Sequence, residues 1–140
     1  MTATTPFFDI ESAFQTKLLS VTGAPSAANI DFEGTKTYTP VLGTRFWRTT
    51  NNAANSSQVT ADAMQLHTGV YQVDIVTPVA KGLKSILNDM DAIQYAFNTV
   101  TSLNANGTKI IINGVGRTRV TREDSWLYGS VKILYNCYSY

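Results

Sequence analysis

The sequence predicts an α+β fold: two helices on one face of a mainly antiparallel or mixed sheet, in the order α-β-β-β-α-β-β-β. Three observations carry it. Apolar residues recur at helical spacing in two distant segments, from Phe7 to Val21 and from Leu83 to Val100. Apolar and polar residues alternate over 69–77 and 126–138, as half-buried strands require. Finally, 140 residues is the size of one domain with one core, so 1–140 is expected to be a single unit.

The first helix is expected over about 6–20. Phe7, Ile10, Phe14, Leu18 and Val21 form its stripe, Thr5 can cap it, and Pro6 suits the first helical position. Asp9 and Glu11 favour its positive end, and Gly23 and Pro25 end it. A short strand is expected over 29–33, a loop over 34–43, and an aromatic strand over 44–49. The tract TTNNAANSSQVTA follows, poor in apolar anchors and long enough to be functional or mobile. Its stretch 51–61, short of apolar anchors, is expected to be mobile in the isolated subunit.

In 69–77, Tyr71, Val73 and Ile75 share one face, Gln72 and Asp74 take the other, and Pro78 stops the strand. The second helix carries Leu83, Ile86, Leu87, Met90, Ile93, Phe97 and Val100 as one stripe. Lys84, Asn88, Asp89, Asp91 and Gln94 are expected to face mostly away. Beyond the turn dipeptide Asn106-Gly107, strands are expected over 108–113, 115–121 and 126–138. The last puts Leu127, Val131, Ile133, Tyr135 and Cys137 on one face.

Composition narrows the function classes. Hydrophobic residues are 44% and charged residues only 15%, below the usual quarter, so contacts are expected through amides, hydroxyls and seven tyrosines. Net charge is +1, with acids in excess through Ala80 and bases beyond it, too mild an asymmetry to indicate nucleic-acid binding. No apolar run is long enough to span a membrane, and MTATTPFFDIES has no signal-peptide pattern, so a cytosolic product is expected. Cys137 and His67 are the single cysteine and histidine, which leaves no intrachain disulfide and no structural zinc set. Cys137 is expected to be a buried, inert thiol. His67 has no nucleophile in a recognisable frame and is expected to be a satisfied polar or turn residue. Asp89 and Asp91, two apart on a helix, diverge and form no acid/base pair. No catalytic residue, cofactor or metal is expected.

GVGRTRVTRED, residues 114–124, resembles a phosphate loop only superficially. Such a loop must end at a helix N-terminus, and an alternating strand pattern follows here instead. Three readings stay open: a solvated hairpin protecting a sheet edge, a partner surface using arginine, or an anion site of Arg117, Arg119 and Arg122.

RFWRTT (45–50), the polar loop, HTGVYQVDIVTPVAKG (67–82), an amphipathic helix and a terminal W-x-x-x-x-V-x-I-x-Y together resemble the lambda-type phage tail terminators, also called tail completion proteins. Gly69, Tyr71, Gln72, Val73, Asp74 and Pro78 match that family's central strand, and NIDFEGTKTYTP (29–40) fits its short strand and aromatic-x-Pro loop. The resemblance implies a virion structural protein with no catalytic site. Its copies would form a hexameric ring on the head-proximal end of the tail tube, stop tube growth and dock the head-completion protein. Genome DNA would pass through the lumen without sequence-specific binding. Candidate contacts with neighbours, tube or neck are Arg45, Arg48, Asn51, Asn52, Asn55, Gln58, Arg117, Arg119, Arg122, Glu123, Asp124, Tyr138 and Tyr140. The alternatives are another neck or head-tail joining protein, or a small phosphate- or ligand-binding protein using the three arginines.

Overall fold

Alternation in mid-chain and near the C-terminal end builds the two longest strands, over 65–78 and 126–139. A computed structural model describes residues 6–34, 38–54, 56–58, 64–98, 102–106 and 108–139. Its elements are α1 (Pro6–Leu19), a 3-10 turn (Ala27–Asn29), β1 (Ile30–Asp31), β2 (Phe46–Ala53), β3 (Ser57–Gln58) and β4 (Gln65–Pro78), then a 3-10 turn (Val79–Lys81) and α2 (Gly82–Asn98). The chain closes with β5 (Ser102–Ala105), β6 (Thr108–Arg117), β7 (Thr121–Glu123) and β8 (Trp126–Ser139). The sheet order is β1-β2-β4-β8-β6-β5, with β3 added beside β4 and β7 beside β8. Every pairing is antiparallel except β1 with β2, so the α+β class holds.

The strand order departs from expectation. Strands β3 and β5 were not anticipated, and the expected strands over 108–113 and 115–121 are instead one strand, β6, followed by the short β7. The cause is a β-bulge. Ile112 pairs with Tyr135 and Gly114 with Leu134, leaving Asn113 extra. Ile110 and Ile112 before it, and Val115 and Arg117 after it, therefore share a rung and a face with the inward residues of β8. Strand β2 also runs four residues past its expected end, so Asn51, Asn52 and Ala53 belong to the sheet rather than to a loop.

Both helices cover one face. Phe14 of α1 stacks on Tyr71 with centroids 4.2 Å apart and also meets Tyr135 and Phe97. Such stacking adds about 0.5–1.5 kcal/mol per pair beyond area burial. Helix α2 seats Met90 and Ile86 over Gly129, where an added Cβ would lie 3.2 Å from the Met90 sulfur. Gly69 has a tighter role, since a Cβ there would sit 2.6 Å from the Tyr135 hydroxyl and 2.9 Å from the Asn52 carbonyl. The core joins these to Trp47, Val73, Ile75, Val131, Ile133 and Cys137. A smaller aromatic group on the opposite face holds Phe46 against Tyr38 and Trp126.

One helix assignment is corrected. Asp89, expected to face mostly away, is buried, while Leu83 and Leu87 of the expected stripe are exposed. Its carboxylate accepts from Arg45 Nη1 at 2.6 Å and from Trp47 Nε1 at 3.2 Å, which satisfies it at the helix–sheet seam. Thr5, Val100 and Gly107, singled out from sequence, lie outside the described residues.

Candidate functional site

The candidate contact residues do not converge on one pocket. Strands β4 and β8 run antiparallel from the Gln65–Ser139 pair to the Pro78–Trp126 pair; some candidates lie toward these two ends, while Arg48, Asn51, Asn52 and Arg117 align with the middle of the ladder. Toward the Gln65 end lie β3 with Gln58 and the half-exposed Tyr138. Toward the Pro78 end lie Arg45, Arg119 and the β7–β8 hairpin with Arg122, Glu123 and Asp124. Asn55 and Tyr140 are outside the described residues.

Several candidates are engaged within the subunit. Arg45 bonds Asp89 and also donates from Nη2 to the Gly23 carbonyl at 2.6 Å, tying the strand to the turn after α1. Arg48 pairs with Asp31 at 3.1 Å and lies over the Phe46 ring. Asn51 accepts from the Tyr135 hydroxyl at 2.7 Å, while its backbone N–H points to Glu33 Oε1 at 3.4 Å. Arg117 donates from Nε to Gln94 at 2.8 Å and from Nη2 to Asp91 at 2.8 Å, with a second Nη2 bond to Gln94. Its charge is thus already met by α2. Among the described residues, Arg122 donates from Nε to the Asp124 carbonyl at 3.4 Å, and Arg119 is exposed.

The opening glycines of 114–124 lie inside β6, and neither has a positive φ. A β-strand and a hairpin turn at Asp124 (φ 53°) follow them, so the loop-to-helix junction of a phosphate cradle is absent from this segment.

At the Gln65 end, buried polar groups fix the ends of the elements. Asp9 accepts from Asn106 at 2.8 Å and from Thr108 at 2.6 Å, joining α1 to the β5–β6 turn. His67 is buried on the helix-facing side, touches the Phe7 ring edge-on at 5.1 Å and bonds Ser56 through Nδ1. Burial holds its pKa below the ordinary histidine value. This pair pins the polar tract onto β4. Cys137, across the ladder from His67, is fully buried and its thiol pKa is pushed up by burial, as expected of an inert residue. Tyr71 donates to Glu11 at 3.1 Å, and burial raises its pKa far above the ordinary phenol value.

The Pro78 end carries a feature that sequence reasoning missed. Leu42 is 85% exposed and Val41 55%, and Leu42 helps line a cleft of about 400 Å³ with Pro78, Val79, Ala80, Arg122 and Trp126. A Val-Leu pair beside glycine in an otherwise polar loop is the signal that could have found it. Among the described residues, no group of three or more His, Cys, Asp or Glu is placed to hold a metal ion, and no helix is long and apolar enough to cross a membrane.

The fold and these side chains define no catalytic centre among the described residues, and comparison with known proteins supplies the class of the chain. Residues 9–135 match the family model of the phage tail terminator protein, and the chain belongs to that family. It is a structural protein of the virion tail. A solved chain superposes on it with a TM-score of 0.74 at 20% identity, covering 94% of each. A chain from the virion of a native gene transfer agent particle superposes with a TM-score of 0.55 at 12% identity, covering 99% of this chain and 100% of that one. Both show a shared fold. No curated protein matches the sequence.

Proposed function

We propose that six copies of this chain close into a ring on the head-proximal end of the tail tube, stop its polymerisation and present the docking surface for the head-completion protein. Genome DNA passes through the lumen without sequence-specific contact. The observation that carries this reading is the family match across residues 9–135. The unlike chemistry of the two ends supports it. A stack of rings terminates when the arriving ring copies the tube's complementarity on one face and not on the other. Here one end presents an apolar cleft around Leu42 and the other the short strand β3 with Gln58 beside the half-exposed Tyr138.

The test adds purified protein to polymerising tube subunits and images the products. The expected result is tubes capped at one end whose growth has stopped there. Uncapped tubes growing at the control rate would reject the terminator role. Binding to a connector but not to tubes would favour the neck reading.

A further inference from the structure

Two edge stretches of the sheet have no paired strand among the described residues and lie at the same level, with the Glu33 N–H bonded to the Thr49 hydroxyl beside one of them. Strand β1 covers only Trp47 and Arg48 of β2, so 49–53 has no strand beside it among the described residues. Strand β5 covers β6 only through Ile111, so 112–117 is likewise open. The ladder relates these stretches rung by rung. Thr49 aligns through Val73 and Val131 with Arg117, and Asn51 through Tyr71 and Ile133 with Val115.

Hydrogen-bonding direction agrees. Ala54 donates its N–H to Thr68 of β4, so by alternation Asn52 and Thr50 also turn to β4, while Asn51 and Thr49 turn to the open edge. Thr118 donates to Ser130 of β8, so Gly116 and Gly114 turn to β8, and Arg117 and Val115 turn outward. Across four antiparallel strands the two edges also run in opposite directions. A copy brought alongside by rotation about an axis along the strands therefore presents β6 antiparallel to β2, with bonding groups and side-chain faces in phase. Edges at different levels would add a rise at each step and build a filament, whereas level edges permit closure.

Charge supports the same partner. The exposed Glu33 stands at the β2 edge and the exposed Arg119 just beyond the β6 edge, whereas Asp31 and Arg117 are already paired within the subunit. Glu33 accepts weakly from the open Asn51 N–H within the subunit, where a neighbour's carbonyl would replace it. Gly114 and Gly116 leave open space on the face opposite the helices.

We infer that the partner of each edge is a second copy of this chain: β6 of one subunit adds antiparallel to 49–53 of β2 of the next, making one continuous sheet around the ring. This rests on the ring reading above and names its joint. Strand tilt in a closed barrel shifts the partner by a few residues, so the test scans four pairs in the full chain. Thr50→Cys and Asn52→Cys are each combined with Gly114→Cys or Gly116→Cys and oxidised with diamide. At least one combination is expected to give a non-reducing ladder ending at the ring's mass, with each single substitution giving none. Rings of correct mass with no cross-link in any combination would overturn the edge pairing alone. A chain that stays monomeric at every concentration, without cross-links, would overturn the ring reading with it.

Discussion

His67 shows how one side chain links the fold to solution conditions. Burial beside Phe7 disfavours its imidazolium, so its pKa is lower in the folded chain than in the unfolded one. The unfolded state therefore binds more protons as pH falls through the ordinary histidine value of about 6.5, and stability declines from there toward acid. Denaturant unfolding between pH 7.5 and 5 is expected to show a steeper acid-side loss for the native chain than for His67→Gln. Parallel pH profiles would show that His67 is not held neutral. The same residue marks what the sequence could and could not disclose: a lone histidine before Thr68-Gly69 suggested a satisfied polar group, but its burial depends on α1 and Ser56, which are distant in sequence or carry no periodic signal. Asp89 is the plainer failure, because polarity argued for solvent while Arg45 and Trp47, more than forty positions away, supply its partners.

At the scale of elements, legibility followed amphipathic pattern. Helices α1 and α2 and strands β4 and β8 bury one face against one core, and alternation or helical spacing announced them. Strand β2 past Thr49 is amide-rich and polar, and strand β5 (SLNA) alternates over only four residues, so neither gave such a signal. Strand β6 was divided in two because its alternation changes phase at Asn113, which reads as a break in one dimension and is a bulge in three. Two contrasting deletions test the bulge. Removing Asn113 leaves every described β6–β8 pair available and is expected to change stability by less than about 1 kcal/mol. Removing Gly116 moves Arg117 to the other face, away from Asp91 and Gln94, and is expected to cost roughly 1–2 kcal/mol. Equal denaturation midpoints for the two deletions would contradict the bulge as the phase-setting device.

For the whole molecule, composition suggested the character of a contact surface and none of its geometry. Few charges and many amides, hydroxyls and tyrosines indicated a contact surface, and the family pattern indicated which assembly. The division of candidate residues between two ends could not be read beforehand, because it depends on the pairing of β4 with β8 and the resulting common strand axis. The apolar cleft at Leu42 arises the same way, from loop and turn residues gathered by the sheet. The central claim is that this chain supplies the stop signal for tail growth. Its most direct test is the length of tails in lysates of phage lacking the protein, measured by electron microscopy. The account predicts overlong tails without heads, restored to uniform length when the protein is supplied. Tails of normal length joined to heads in its absence would contradict it.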